Sequence, residues 1–311
     1  MTPFPPQLLP RLTQARAPLV REVIAVNESG ERQPVFIPSE RPLTVYVDKR
    51  ELVTLMTLGQ RPEQLVLGFL RNQRLVNSVH EVESITVDWE VGAAAVKTRS
   101  GISNIEEKTA KRVVTTGCGQ GSVFGGLMDD VARLVLPEAT LTQSQLYGIV
   151  DTIRLQESTY KTAGSVHGCA LFRGQEMLVF VEDVGRHNAI DTIAGWMWLQ
   201  ADDHDHGSNA GRKTPHLAGV GARPRSGLVG SDKVFYTTGR LTSEMVIKSA
   251  QMGVPIIVSR SGITQMGHEV AHNLGLCTIG RATNRRFLCF SGSERLQLQP
   301  GLVGPRLRAT A

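Results

Sequence analysis

The sequence predicts a mixed α/β protein in which a small α+β domain precedes a larger layered α/β domain. Three observations lead to this prediction. The chain has 311 residues, which is enough for two hydrophobic cores. Residues 21–115 contain several strand-like segments and one helical pattern, whereas strand and helix patterns alternate from residue 116 onward. Strands separated by helices of this length indicate a partly parallel, and therefore mixed, sheet.

The first domain is predicted from strand-like segments around a single helix. Its segments of β-branched and aromatic residues are 21–26, 35–37, 43–49 and 83–91. The helix is expected over 61–76. Leu65 and Phe69 recur there at helical spacing, and Pro62 falls in the first turn. Residues 1–20 are rich in proline and lack the apolar core of a signal peptide, so they are expected to form a disordered leader.

The second domain is expected over 116–297. Its strand patterns lie at 169–172, 177–183, 233–238, 255–259, 277–280 and 286–290, and its helix patterns at 140–156, 187–199, 243–252 and 264–274. In the first of these helices Thr142 is placed as the N-cap and Gln145 as its capping-box partner. The polar, glycine-rich segment 202–232 is expected to be a flexible insertion, and 298–311 a tail.

Composition narrows the classes of function. The net charge of +5 attracts polyanions in general, yet aromatic residues make up only 5% of the chain and are not interleaved with a basic run. No apolar run is long enough to span a bilayer.

The four cysteines show no disulfide or zinc spacing, which favours a reducing cytoplasm. His204 and His206 are interpreted as a solvated pair, because no further ligand spacing accompanies them. We therefore expect no nucleic acid, no membrane and no metal site.

Cys118 lies in the stretch TTGCGQGS, between glycines at 117, 119 and 121. Such flanks let the backbone swing and expose the sulfur. A thiolate is the reactive form of cysteine, and it is favoured near a helix N-terminus or a cation. A helix beginning at Ser122 would supply that help. The alternative is an incidental cysteine in a turn.

Arg186 and His187 lie in EDVGRHNAID, where a strand is followed by a glycine turn and a helix start. This arrangement is a natural cradle for a phosphate or another anion. Arg186 can bind an oxyanion through two N–H groups, and His187 can exchange a proton near neutral pH. Asn188 and Asp191 are either part of this cluster or structural caps of the helix.

Arg240 occupies a similar turn in TTGRLTSEMVIK, between a strand and a helix. Glu244 at the helix start is either functional or, with Lys248 four residues later, half of a surface ion pair. A third basic turn, IGRATNRRF, contains Arg281, Arg285 and Arg286, whose guanidinium groups could clamp a pyrophosphate. The alternative is a solvated hairpin.

These turns follow apparent strand ends, so a parallel sheet would gather them at its carboxyl edge, where open α/β sheets bind ligands. His167, in TAGSVHGCA, is a candidate for the same edge. A core histidine with satisfied hydrogen bonds is the alternative.

Five motifs together resemble one known family. They are TTGCG, TAGSVHGCAL, VEDVGRHNAID, TTGRLTSEMVIKSAQMGVPIIVSRS and GLCTIGRATNRRFLCFSGSERL. In this order they resemble the formate dehydrogenase accessory sulfurtransferase family (FdhD), over roughly residues 20–297 without the insertion. DVGRHNA and TGRLTSEM are the most specific portions. ERPLTVYVDKRELVTLMTL and LVLGFL are similar to the family's amino-terminal domain.

The resemblance implies a three-layer, cytidine-deaminase-like fold for the second domain and a role in maturing molybdenum- or tungsten-dependent formate dehydrogenase. By this resemblance Cys118 carries a persulfide from a cysteine desulfurase to the metal of Mo-bis(molybdopterin guanine dinucleotide), a client cofactor. The residues implied in binding that cofactor are Arg281, Ala282, Thr283, Asn284, Arg285, Arg286, Arg186, His187, Arg240 and His167. The implied partners are the desulfurase and the catalytic subunit of formate dehydrogenase, and a cytoplasmic homodimer is expected.

The chain departs from the family pattern at two places. Many members carry C-x-x-C where this chain has Gly121 as the second position, so a resolving thiol is absent and a single-cysteine relay is implied. Relatives usually show an acidic residue followed by glycine where this chain has Gln73 and Arg74.

Two further functions are alternatives for this sequence. A zinc-dependent nucleoside deaminase would need H-x-E and P-C-x-x-C, and neither pattern occurs in the sequence. A chaperone that binds the molybdenum cofactor without transferring sulfur, with Cys118 inert, remains the alternative.

Overall fold

The structure is a computed structural model, and it describes residues 9–103, 105–106, 112–114, 122–124, 134–205 and 230–302. In these residues the strands are β1 (Arg11–Leu12), β2 (Val20–Val26), β3 (Arg32–Pro38), β4 (Arg41–Val47), β5 (Arg50–Thr57), β6 (Val82–Asp88), β7 (Ala93–Thr98), β8 (Arg112–Val114), β9 (Ser122–Phe124), β10 (Leu141–Thr142), β11 (His167–Arg173), β12 (Glu176–Asp183), β13 (Lys233–Thr237), β14 (Ile256–Ser259), β15 (Cys277–Thr283), β16 (Arg286–Ser291) and β17 (Leu296–Gln297).

The described helices are α1 (Pro62–Asn72), α2 (Gln143–Leu155), α3 (Thr159–Ala163), α4 (Arg186–Asp205), α5 (Ser243–Gln251) and α6 (Gln265–Asn273). Short 3₁₀ turns lie at Val79–Glu81, Ser293–Arg295 and Pro300–Leu302. Within this described part of the chain, no helix is long and apolar enough to cross a membrane.

The chain forms two compact units, each assembled from separate segments. The first unit comprises the described parts of Met1–Asp130, Thr159–His167 and Val181–Val229, and the second comprises those of Val131–Ser158, Gly168–Phe180 and Gly230–Ala311. Helix α4 therefore belongs with the amino-terminal residues, although its sequence position groups it with the second predicted domain. The predicted boundary at residue 115 lies outside the described residues and stays a prediction.

The first unit is built on a mixed five-stranded sheet in the order β1-β6-β7-β4-β5. Strand β1 pairs in parallel with β6, so residues 11 and 12 of the expected leader are part of the sheet. Two hydrogen bonds hold the segment that follows: Thr13 Oγ1 and the backbone N–H of Ala15 both donate to Glu63 Oε1, at 2.7 Å each. This part of the leader is ordered because it is paired and bonded to α1.

Helices α1 and α4 pack backbone against backbone through two glycines. A Cβ on Gly68 would lie 1.7 Å from the carbonyl oxygen of Asp191, and a Cβ on Gly195 would lie 2.0 Å from that of Gln64. The side chains beside this contact are buried in one core, to which α4 contributes Trp198. The glycines let the helices approach closely, and this approach fixes the position of the α4 N-terminus within the unit.

Replacing either glycine of this contact should destabilise the first unit. We expect Gly68→Ala and Gly195→Ala each to lower the free energy of unfolding by about 3 kcal/mol or more, since the new methyl group meets backbone atoms. Chemical denaturation followed by circular dichroism measures the loss.

Gly148→Ala in α2 is the matched control for a helical glycine. Its Cβ would meet only the carboxamide end of the Gln175 side chain, which can rotate away, so stability should stay the same or rise. Equal effects of Gly68→Ala and Gly148→Ala would contradict the close packing.

Arg74 lies just after the C-terminal end of α1, and the hydrogen bonds of that helix end determine its backbone conformation. Leu75 N–H donates to the Leu70 carbonyl and Arg74 N–H to the Arg71 carbonyl, both at 2.9 Å, which is a Schellman motif. Arg74 therefore takes a left-handed conformation, with φ of 55°. Glycine is the favoured residue at that position, which accounts for the glycine expected in relatives. Gln73 is the C-cap, and nothing in the structure explains the loss of an acidic residue there.

The second unit contains a six-stranded mixed sheet in the order β12-β11-β13-β14-β15-β16, with β12 and β11 crossing between the units along the chain. Strands β13, β14 and β15 are parallel, whereas β11 and β16 are antiparallel to their neighbours β13 and β15. Helices α5 and α6 make the crossovers, and α2 packs its apolar side on one face of the sheet. The predicted mixed α/β class is confirmed, while likeness to cytidine deaminases stays a prediction.

The capping box of α2 is confirmed. Gln145 N–H donates to Thr142 Oγ1 at 3.2 Å, and Thr142 N–H donates to Gln145 Oε1 at 2.9 Å. A helix beginning at Ser122 is wrong, because Ser122–Phe124 forms β9 and pairs with β8. The proposed help of a helix N-terminus for a Cys118 thiolate therefore has no support.

Candidate functional site

The turn between β12 and α4 is organised by the buried carboxylate of Asp183. Its Oδ2 atom accepts hydrogen bonds from Thr57 Oγ1 at 2.5 Å and from Leu58 N at 3.0 Å. Its Oδ1 atom accepts from Gly185 N and from Asn188 Nδ2, both at 2.9 Å. Burial raises the pKa of this carboxyl, while hydrogen bonds from the four donors oppose the rise. Asp183 thus ties the start of α4 to the end of β5.

Asn188 and Asp191, weighed as helix caps, bind across to other elements of the first unit. Asn188 Nδ2 donates to the Met56 carbonyl at 2.6 Å as well as to Asp183. Asn72 Nδ2, at the end of α1, donates to Asp191 Oδ1 at 2.6 Å. These contacts hold the first turn of α4 in one orientation.

Asp183→Asn should destabilise the protein, because a carboxamide offers one acceptor where two donors meet each oxygen. We expect a loss of about 2–4 kcal/mol in the free energy of unfolding, measured by denaturant titration. Asp232→Asn is the control. Asp232 is a half-exposed carboxylate paired with Arg173 and Lys233, so its loss should stay below about 1 kcal/mol. A variant at Asp183 as stable as that control would contradict the network.

Arg186 is the first residue of α4 and is only 2% exposed. Within the described residues, its Nε and Nη2 atoms have no hydrogen-bond partner. His187 beside it is 9% exposed. A buried guanidinium with unpaired N–H groups is costly, and the N-terminus of a helix adds positive potential. These N–H groups are suited to a phosphate or another oxyanion, and binding of an anion by Arg186 stays a prediction.

Arg186→Met should separate stability from anion binding. We expect the melting temperature to rise, because the substitution removes a buried cation with unpaired donors, and the affinity for GDP to fall about tenfold. Arg295→Met is the control. Arg295 donates to the carbonyls of Gly275 and Pro137, so its loss should lower the melting temperature. A lower melting temperature with unchanged GDP affinity would contradict the assignment of Arg186.

The carboxyl edge of the parallel strands in the second unit carries three exposed arginines. Arg240 follows β13, Arg260 follows β14 directly, and Arg281 lies near the end of β15. Arg260 N–H donates to the carbonyl of Thr237 at 3.0 Å, and Arg281 N–H donates to that of Ser261 at 2.7 Å. These backbone bonds bring the three loops together, as the sequence predicted for a parallel sheet.

The sequence did not identify Arg260 as a site residue. Its stretch, SRSGITQ, contains a single arginine, and one arginine in a polar turn carries no local signal. A repeated pattern of arginine just after a buried strand could have revealed it. Ser259 also helps to join the loops, because its Oγ donates to the Gly239 carbonyl at 2.7 Å and accepts from Ser261 N at 2.9 Å.

The arginines of the predicted pyrophosphate clamp have different surroundings at the β15–β16 hairpin. Arg285 forms a 3.1 Å ion pair with Asp151 of α2, and its guanidinium lies 4.8 Å from the ring centroid of Tyr147. Arg286 is the exposed first residue of β16. Arg281 and Asn284 both have φ of 52°, so two non-glycine residues of the hairpin are left-handed.

The remaining predicted residues of this hairpin differ in exposure. Ala282 is 2% exposed, whereas Thr283 is exposed. A role for any of these residues in cofactor binding stays a prediction.

Glu244 and Lys248 form the predicted ion pair, with 3.1 Å between Glu244 Oε1 and Lys248 Nζ. Their side chains are 2% and 5% exposed, so the surface interpretation is wrong. Both groups face the interior of the second unit because α5 is buried on most of its circumference. Breaking one partner of such a pair leaves an uncompensated buried charge, which gives the pair a structural role in holding α5 after Arg240.

Two predicted site residues remain. Cys118 lies outside the described residues. His167 is the half-buried first residue of β11, and the next residue, Gly168, donates to Thr238 Oγ1 at 3.1 Å and accepts from Thr238 N at 2.9 Å, in the turn that leads to Arg240. A role of His167 in cofactor binding stays a prediction.

Helix α6 carries H-E-V-A-H at 268–272, a pattern of zinc hydrolases that is absent from the site residues predicted above. The rings of His268 and His272 lie 6.4 Å apart. His268 Nε2 is 3.0 Å from the Phe290 carbonyl oxygen, and Glu269 accepts from Gln265 at 3.0 Å. Among the described residues no group of three His, Cys, Asp or Glu side chains is placed to hold a metal. The pattern therefore lacks a third protein ligand there.

The described α/β fold thus has a buried arginine at a helix N-terminus in its first unit and, separately, three exposed arginines at the carboxyl edge of parallel strands in its second unit. Helix N-termini and the carboxyl ends of parallel strands are common places for anion binding, and a role of these arginines in binding stays a prediction. The model of the FdhD/NarQ family matches residues 38–210 and 217–297. The chain belongs to the FdhD/NarQ family.

Curated relatives and one solved structure resemble this chain over most of its length. The protein named "Sulfur carrier protein FdhD" from Bacillus licheniformis is 29% identical over 273 residues, covering 87% of this chain and 94% of that protein. The protein of the same name from Listeria innocua is 26% identical over 281 residues, covering 89% and 98%. A crystal structure from Desulfotalea psychrophila, described as a formate dehydrogenase accessory protein, has a TM-score of 0.64 at 23% identity and covers 90% of this chain and all of its own. That structure supports the fold.

Proposed function

We propose that this chain is a sulfur carrier in the maturation of formate dehydrogenase. The observation that carries the proposal is membership of the FdhD/NarQ family. Two relatives named "Sulfur carrier protein FdhD" match this chain over 94% and 98% of their own length. Cys118 is the proposed carrier. The proposed partners are a cysteine desulfurase and the catalytic subunit of formate dehydrogenase, and the proposed form is a homodimer in the cytoplasm.

Two sulfur transfers make up the proposed reaction. First, the Cys118 thiolate attacks the terminal sulfur of the desulfurase persulfide, the donor's S–S bond breaks, and the donor leaves as its thiolate. Second, the terminal sulfur leaves Cys118 at the oxidation level of sulfide for the metal of the client cofactor, which requires two electrons. Because position 121 is glycine, we assign those electrons to an external thiol. That thiol attacks the inner sulfur and remains on Cys118 as a mixed disulfide.

The proposed client is Mo-bis(molybdopterin guanine dinucleotide), which carries four phosphate groups in two dinucleotide arms. The unpartnered N–H groups of buried Arg186 suit one such phosphate, and Arg240, Arg260 and Arg281 at the strand ends suit others. Arg285 and Arg286 enter the proposal as the pyrophosphate clamp expected from the sequence. These arginines bind and orient the cofactor, while the thiol chemistry belongs to Cys118.

The carrier role predicts that Cys118→Ala accepts no sulfur. Wild-type protein incubated with a cysteine desulfurase and cysteine should gain the mass of at least one sulfur atom, and dithiothreitol should remove it. Cys118→Ala should gain none and should leave formate dehydrogenase activity at background in a strain that lacks the carrier. Its affinity for GDP should match that of the wild type, because no arginine has changed.

Cys169→Ser is the matched control, since Cys169 is fully buried and should accept no sulfur. A reducible adduct that persists in Cys118→Ala would overturn the carrier role. Full enzyme activity supported by Cys118→Ala would favour the alternative, a chaperone that binds the cofactor without transferring sulfur.

The arginines at the carboxyl edge of the parallel strands predict a loss of GDP affinity when they are replaced. We expect Arg240→Ala and Arg260→Ala each to weaken GDP binding by about tenfold, measured by calorimetry, because each removes a charge-assisted contact to phosphate. Arg154→Ala is the control, since Arg154 is an exposed residue of α2 with only a 3.8 Å pair to Asp151. Unchanged affinity in the Arg240→Ala/Arg260→Ala double variant would remove this edge from the proposed site.

A further inference from the structure

Helix α6 carries two histidines one turn apart on the surface of the second unit. His268 and His272 are both exposed, and the centroids of their rings lie 6.4 Å apart, with the ring planes inclined by 16°. Residues four apart in sequence lie on one face of a helix, so this spacing brings the two imidazoles together. Neither residue takes part in the proposed sulfur transfer or in the proposed anion sites.

A backbone carbonyl orients the ring of His268. The Nε2 atom of His268 is 3.0 Å from the carbonyl oxygen of Phe290 on β16. Because a carbonyl oxygen only accepts hydrogen bonds, Nε2–H is the donor, and Nδ1 of the neutral ring carries the lone pair. Metal-ligating histidines almost always donate their other N–H in this way, to a carbonyl, a carboxylate or water. The contact with Phe290 therefore gives His268 the tautomer of a ligand that binds through Nδ1.

The separation of the two rings suits a shared metal ion. A first-row metal lies about 2.1 Å from a ligating imidazole nitrogen and thus roughly 3.2 Å from the ring centroid, so two rings can share one ion up to a separation of roughly 6.4 Å. The rings of His268 and His272 are at this limit. Rotation of the exposed His272 side chain into another staggered rotamer shortens the separation without moving the backbone.

We propose that His268 and His272 form a surface chelate for a divalent first-row transition metal ion of the class that imidazole favours, namely Ni²⁺, Cu²⁺ or Zn²⁺. The two histidines supply two nitrogen ligands, and water supplies the others. Among the described residues no third His, Cys, Asp or Glu completes the set, so this is an open site rather than a closed structural one. A bound ion would join successive turns of α6 and, through His268, hold the helix against β16.

Titration of the full chain with Ni²⁺ tests the site, because Ni²⁺ favours imidazole. The parent chain for this test carries Cys118→Ser, His204→Ala and His206→Ala, so that neither the carrier thiol nor the other histidine pair contributes. We expect calorimetry to give one Ni²⁺ per chain, with Mn²⁺ bound at least about tenfold more weakly and Mg²⁺ not bound. Ni²⁺ should also raise the melting temperature, since it binds the folded chain.

The helical spacing provides a matched set of variants. His268→Ala and His272→Ala should each weaken Ni²⁺ binding at least about tenfold, because each removes one of two nitrogen ligands. His272→Ala/Asn273→His keeps two histidines but places them five residues apart, off the shared face, so it should bind as weakly as His272→Ala. Asn273→Ala changes the exposed last residue of α6 and should bind Ni²⁺ as tightly as the parent chain.

Two outcomes would overturn the proposal. One is a Ni²⁺ affinity in His268→Ala/His272→Ala equal to that of the parent chain, and the other is full affinity in His272→Ala/Asn273→His. Circular dichroism checks that each variant is folded, which we expect because both histidines are exposed. The sulfur adduct on Cys118 is measured separately in the chain that retains this thiol, so either result leaves the carrier role untouched.

Discussion

The close contact of helices α1 and α4 is the constraint on which the first unit depends. Gly68 and Gly195 let two backbones meet where any side chain would collide with a carbonyl oxygen. That contact draws α4 away from its sequence neighbours and into the amino-terminal unit. The Asp183 network and the Asn72–Asp191 hydrogen bond then fix the first turn of the helix. Arg186 occupies that first turn, so helix packing determines where its guanidinium is held.

The arginines of the two units differ in their surroundings. Arg186 is buried, and its Nε and Nη2 atoms have no hydrogen-bond partner among the described residues. Burial of these unpaired N–H groups lowers the free energy of unfolding of the protein without a ligand. Arg240, Arg260 and Arg281 are exposed instead, and their backbone bonds place them at one sheet edge. Solvent screens the charge of each of these three arginines more strongly than it screens the charge of buried Arg186.

The four cysteines differ in their sequence or structural surroundings. In the proposed function Cys118 works alone, because glycine stands at 121 and the electrons for sulfur release come from outside the chain. Cys277 and Cys289 both belong to the hydrophobic cluster of the second unit, on neighbouring strands β15 and β16. Cys169 is buried against Thr237 and fits a structural role. The described cysteines thus differ in exposure, from fully buried Cys169 and Cys277 to partly exposed Cys289.

Local sequence determined the mixed α/β class, the α2 capping box and the arginine turns after strands, because each depends on periodicity or on residues within a few positions. The family resemblance also came from the sequence, through motifs in order. Tertiary structure alone decided the rest. It decided the unit to which α4 belongs, the burial of Glu244 and Lys248, and the contact of Arg260 with the end of β13. These features join residues that are far apart in the chain or set them in an interior. No local pattern encodes such distances, since they follow from how strands register and how closely two helices approach.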